Sequence, residues 1–184
     1  DRGFESPSRV VDVVYTAGDT RAGVQTIAFN LPNDTRVHEA KGSKKVMLRN
    51  VMQAKFDQIL TRIAGEVLAP GLLDEVDFRP WFVKVLMHEL AHGLGPSTIT
   101  LPGGTTTTVN QALREHHSAI EEAKADVVGL HSLTVLAGRG FYDADFVRDA
   151  FLAHLADLFR SVRFGANEAH GLGALVQFNT FIES

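Results

Sequence analysis

The chain has 184 residues, of which 45% are hydrophobic and 22% charged, and its net charge is −4. That length can bury one core or two small lobes, and the balance is that of a globular protein rather than a disordered or nucleic-acid-binding one. The absence of cysteine excludes a disulfide framework and any thiolate metal site. No apolar run approaches the ~20 residues that a membrane span needs, and the compartment stays open between cytosol and periplasm.

The first residue is Asp1 rather than Met, so the chain reads as processed, truncated or excised from something longer. Val10 to Tyr15 is β-branched and aromatic, which predicts a strand. Gly18-Asp19-Thr20 predicts a turn and Val24 to Phe29 a second strand. Leu31-Pro32-Asn33-Asp34 ends that strand, because proline cannot donate to a ladder. A basic loop with Lys41, Lys44 and Lys45 is expected next. From Met47 to Leu68 the apolar residues Val51, Phe56, Ile59, Leu60, Ile63 and Val67 recur at helical spacing, and Pro70-Gly71 stops the helix.

Another helix runs from Pro80, well suited to a first turn, to His92, and Gly93 ends it. Residues 94–108 are rich in Gly, Pro and Thr and predict a loop or small ribbon. Helices are then expected over 109–137 (whole or broken once), 143–162 and 167–181, the last with Asn167 as its N-cap. The expected fold is mainly α, with a small β element over residues 1–35 and a helical domain over 36–184.

His88-Glu89-Leu90-Ala91-His92 is an H-E-x-x-H pattern inside the second predicted helix. Four residues make slightly more than one turn, so both imidazoles emerge on one face and can grip one ion. Glu89, rotated to the side, can reach a metal-activated water without being a ligand. A catalytic zinc takes three protein ligands and keeps one open position. The third ligand is sought in Glu121-Glu122-Ala123-Lys124-Ala125-Asp126, where Glu122 and Asp126 share a helix face. One carboxylate can bind the metal while the other takes the second N–H of a ligand histidine and fixes its tautomer. Glu122 as ligand and Asp126 as that acceptor resembles the arrangement of thermolysin-like zinc peptidases, with Glu121 as an additional acceptor. A bare H-E-x-x-H also arises on solvated helix faces. Here Val85, Leu86, Met87, Leu90 and Ala91 make the helix apolar nearly all round, and Ile120, Ala123, Val127, Val128 and Leu130 flank the acidic pair with core-like residues. His116 and His117 are competing ligands; His38, His131 and His154 read as surface or satisfied, partly buried residues.

Together these residues resemble the dipeptidyl peptidase III family of zinc exopeptidases and its bacterial relatives. His-Glu-Leu-Ala-His-Gly from His88 and Glu-Glu-Ala-Lys-Ala-Asp from Glu121 carry the match. So do Asn30-Leu31-Pro32-Asn33-Asp34, the Gly42 to Val46 segment that follows it, and, more weakly, Ala169-His170. The resemblance implies a largely helical zinc lobe and a β-containing lobe across a cleft. It implies His88, His92 and Glu122 as ligands of one zinc ion per chain and Glu89 as general base. It further implies His170 as oxyanion stabiliser, and Asn30 and Asn33 as substrate-binding residues beside a strand that pairs with the peptide. This chain departs from the best-known members in having one residue fewer between its histidines. The family's amine-recognising carboxylate and transition-state tyrosine are expected upstream of Asp1. The expected function is zinc-assisted hydrolysis of peptides, with a zinc-containing peptide-binding or regulatory module as the rival. The expected partners are a peptide substrate and the upstream part of a longer chain, with no nucleic acid and no membrane.

Overall fold

The structure is a computed structural model and describes residues 8–18, 26–31 and 44–184. The chain divides into two compact units, Asp1–Gln58 and Ile59–Ser184. The fold is mainly helical with a small sheet near the N-terminus, as the pattern predicts.

In the first unit, β1 (Ser8–Val11) and β2 (Ala28–Leu31) flank β3 (Lys44–Leu48) in the order β1-β3-β2. β1 runs parallel to β3, with Val10 opposite Met47, and β2 runs antiparallel, with Asn30 opposite Lys45. The first strand ends sooner than Tyr15. The Asn50 side chain takes the backbone N–H and C=O of Val13 (3.0 and 2.8 Å), Arg49 pairs with Asp12, and Val14 and Tyr15 are exposed. The expected basic loop is in part a strand. Lys45 and Met47 are buried while Lys44 is exposed, a period of two that the charges of the lysines conceal. The turn at Asp19-Thr20, the start of the second strand at Val24, His38, Lys41 and Asn33 lie outside the described residues.

Helical structure follows as α1 (Arg49–Lys55), a π turn (Phe56–Leu60) and α2 (Thr61–Val67), so the long predicted helix is present with a local widening. The second unit holds α2 and five further helices that matter here. These are α3 (Phe78–Ala91), the short α4 (Val109–Leu113), α5 (His117–Gly138) and α6 (Ala144–Val162), followed by α7 (Ala169–Glu183). Residues 94–108 form a ribbon of β4 (Thr98–Thr100) and β5 (Thr106–Thr108), after which Thr108 and Gln111 make a reciprocal cap on α4. The predicted helix over 109–137 is broken at Arg114, whose φ is 52°. α6 starts at the Asp143 cap, which accepts from Phe146 N at 2.8 Å. α7 is capped by Glu168 rather than Asn167: the Glu168 carboxylate accepts from Gly171 N at 3.0 Å.

α3 is the central helix. It packs against α5 and α6, and α7 packs against α5 and α6. Trp81 is fully buried, and Val83, Leu130, Leu133 and Ala150 form an apolar cluster joining α3, α5 and α6. α5 turns Ala119, Ala125, Gly129, Leu130 and Leu133 inward. Ile120 and Val127, read from the sequence as core-like, are 46% and 56% exposed because they lie on the opposite side of the same helix.

Two glycines set the spacing at which these helices meet. A Cβ added at Gly129 on α5 would come 2.9 Å from the backbone nitrogen of His88. A Cβ at Gly173 on α7 would come 3.0 Å from Ala119 O and 3.3 Å from Glu122 Cβ. Gly171 is likewise closed off by the Gly165 carbonyl. The poor helix formers of α7 are thus points of close backbone approach. Gly129→Ala should push α5 away from α3 and cost on the order of 1–3 kcal/mol. Thermal or denaturant unfolding measures it, and an unchanged midpoint would mean that the contact does not need glycine.

Candidate metal centre

α3 carries His88 and His92 one turn apart on the face turned to α5, and α5 answers with Glu121, Glu122 and Asp126. His88 Nε2 and His92 Nε2 are 3.1 Å apart. They lie 3.2 and 3.8 Å from Glu122 Oε2. These three side chains form the one group among the described residues with metal-ligand spacing. His116 and His117, at the start of α5, are not in it.

The other ring nitrogens show what the centre requires. His88 Nδ1 is 2.8 Å from Asp126 Oδ1, and His92 Nδ1 is 3.0 Å from Glu121 Oε1. A carboxylate only accepts, so each Nδ1 is the donor and each neutral ring turns a lone pair inward from Nε2. Glu122 Oε2 is buried and makes no hydrogen bond. Three lone pairs therefore face one another, an arrangement that needs positive charge at its centre. Ligand atoms 2.0–2.2 Å from a four-coordinate ion stand about 3.3–3.5 Å apart, and the three observed spacings bracket that value. The residues fit a small divalent cation. With no cation, a proton fills the place. Burial, the largest influence, pulls His88 down, but Asp126 and Glu122 outweigh it and hold the ring at about 9. A metal ion must displace that proton.

Around these three side chains lies a layer of charge only partly visible in the sequence. Lys84 of α3, 4% exposed, reaches Asp126 Oδ1 at 2.8 Å and Asp157 Oδ2 on α6 at 3.1 Å. Arg160 closes on Asp157 at 2.5 Å. Gln177 of α7 donates to Asp126 Oδ2 at 3.1 Å, and its carbonyl lies 3.2 Å from His154 Nε2. Burial raises the Asp126 carboxyl, yet Lys84 and His88 hold it well below the usual carboxylate range. Glu121 is also lowered, by Lys124 and His92 against burial. A lysine in the apolar run Trp81 to Met87, one turn before His88, is the signal that could have revealed Lys84.

Glu89 follows His88 on α3, half-buried and outside the ligand group. His170, near the start of α7, brings its Nε2 within 3.3 Å of the same Glu122 Oε2, while its Nδ1 lies 2.8 Å from Glu168. The His170 side chain is 57% exposed. Glu168, not singled out in the sequence, thus caps α7 and holds this ring. Asn30 belongs to β2 of the first unit.

His154 is buried, its Nδ1 has no hydrogen-bond partner, and burial pushes the ring down to about 4. The unfolded chain, with an ordinary value of 6.5, takes up the proton first. The corresponding stability is present above 6.5 and is lost as pH falls towards 4, by about 2 kcal/mol at pH 5. His88, raised in the ion-free chain, is already fully contributing below 6.5 and adds no slope there. Denaturant midpoints of ion-free protein should therefore fall between pH 6.5 and 5. In His154→Gln that fall should largely vanish, and an equal slope in both proteins would exclude His154 as its source.

None of the described helices is long and apolar enough to cross a membrane. No family model matches the chain. A search of curated proteins finds Nudix hydrolase 3 of Arabidopsis thaliana, 47% identical over 178 residues, which are 97% of this chain and 23% of that protein. Its name describes the whole relative, most of which lies outside the match. Among solved structures, dipeptidyl peptidase III from Caldithrix abyssi is 50% identical, with a TM-score of 0.90 over 100% of this chain and 35% of that one. The enzyme from Corallococcus sp. strain EGB is 48% identical, with a TM-score of 0.84 over 96% of this chain and 33% of that one. In sequence and in structure the chain is similar to part of dipeptidyl peptidase III, and it spans about a third of the length of these two solved proteins.

Proposed function

We propose that the chain carries the metal centre of a zinc metallopeptidase that hydrolyses short peptides. The observation behind this is the meeting of three inward lone pairs, His88 Nε2, His92 Nε2 and Glu122 Oε2, with Glu89 next to His88 in sequence and outside the group. Two imidazoles and one carboxylate, with no thiolate, are the donor set of catalytic rather than structural zinc. The similarity to two dipeptidyl peptidase III structures supports the same reading.

Those three residues would hold one zinc ion, which would polarise the scissile carbonyl and acidify the attacking water. Asp126 and Glu121 fix the tautomers of His88 and His92. Glu89 accepts the water's proton on its carboxylate and passes it to the leaving amine. His170 stands over the ligand carboxylate and stabilises the developing oxyanion. Because its Nδ1 donates to Glu168, its Nε2 donates only from the doubly protonated ring. Asn30 and Asn33 are assigned to substrate binding. Among the described residues β2 pairs with β3 alone, and an extended peptide adds to such an edge through main-chain hydrogen bonds.

Incubation of the chain with a panel of short peptides, in zinc and after chelation, tests the proposal. Zinc-dependent cleavage is expected, and His170→Ala should slow it roughly 100- to 1,000-fold at unchanged zinc content. Zinc bound at His88 without cleavage of any peptide would make the chain a peptide-binding or regulatory module instead.

A further inference from the structure

Asp126 does not stand alone behind His88. Its Oδ1 accepts from both His88 Nδ1 and Lys84 Nζ, each at 2.8 Å, and its Oδ2 accepts from Gln177 at 3.1 Å. Lys84 lies four residues before His88 on α3, so one helix face carries both the ligand and the cation that holds the ligand's acceptor. The ammonium is buried and bridges α5 to α6, from Asp126 to Asp157. A buried lysine is costly unless its charge is used. Here it is matched by two carboxylates, and the second, Asp157, is also held by Arg160.

We infer that Lys84 is a positioning residue for the metal centre: by holding the Asp126 carboxylate in place, it fixes the orientation and tautomer of His88. The inference rests on the reading of His88 as a metal ligand. Without the ammonium, Asp126 keeps Gln177 but loses the bridge to Asp157 and α6, and its hold on the ring loosens. Lys84 touches neither metal nor substrate, so its effect belongs to binding of the ion before it belongs to turnover.

The test measures zinc release to a chelator, together with the visible spectrum of the cobalt-substituted chain. Lys84→Met alone leaves two buried carboxylates facing each other and can impair folding. Lys84→Met with Asp157→Asn removes one charge of each sign and is the informative variant. Zinc release from it should be on the order of 10- to 100-fold faster than from wild type, with an altered cobalt spectrum. In an Asp126→Asn background the same exchange should add almost nothing, because Lys84 acts through that carboxylate. Wild-type release from the double variant would show that Lys84 merely pairs with Asp157, and would overturn the inference while leaving the metal reading intact. A chain that holds zinc equally well after His88→Ala would overturn both.

Discussion

Glu89→Gln should leave zinc content and melting temperature unchanged while lowering peptide turnover by roughly 100- to 10,000-fold, the range for loss of a general base. The amide matches the carboxylate in size and can still make hydrogen bonds. It cannot take up a proton at neutral pH. Glu89 is next to His88 on α3, about 100° around the helix, and is outside the group of converging ligand atoms. Loss of turnover should therefore appear in kcat, with zinc affinity preserved. A Glu89→Gln chain that cleaves peptides near the wild-type rate would remove the residue from the chemistry. One that loses zinc would instead make Glu89 part of the metal's support.

What could be read from the residues divides according to the range of the interaction. H-E-x-x-H is a statement about one helical turn, so the pairing of His88 and His92 follows from spacing alone, and so does the common face of Glu122 and Asp126. The helices around them announce themselves by period and by their stops. The details that fail are those in which one local signal masks another. Lys44 and Lys45 look like a solvated loop, yet Lys45 and Met47 alternate as the buried face of β3. Asn167 has the better capping propensity, yet Glu168 takes the cap because its carboxylate reaches Gly171 N and the His170 ring together.

Longer-range features have no local period to betray them. Which carboxylate serves which histidine depends on how α5 lies on α3, which Gly129 allows by its missing side chain. Lys84 meets an aspartate 73 residues away on α6. In sequence it is the single polar residue of the apolar run Trp81 to Met87, and only the packing shows that it faces two acids. The glycines of α7 are an intermediate case. Their poor helix propensity predicts close approach, and the structure supplies the identity of the approaching backbone, Ala119 and Ala123 at Gly173 and the Gly165 turn at Gly171.

Zinc should raise the melting temperature of this chain strongly, and His88→Ala should abolish the rise. The ion would join α3 to α5 through three groups that converge on one point, His88 Nε2, His92 Nε2 and the buried Glu122 Oε2. Binding to the folded state alone stabilises it by about 4 kcal/mol at a thousandfold excess over Kd. For a domain of this size that is a shift on the order of 10 °C. The ion-free chain already carries a substitute, because the raised His88 ring can hold a proton between Asp126 and Glu122. The net gain should therefore be smaller near pH 6, where zinc must displace that proton, and larger near pH 9, where the proton is already leaving. His88→Ala removes one ligand and the proton site at once, leaving Asp126 to Lys84 and Gln177. Its melting temperature should then be indifferent to zinc at either pH. If the variant were stabilised by zinc as much as wild type, the ion would be bound elsewhere, and the convergence of these three side chains would need another explanation.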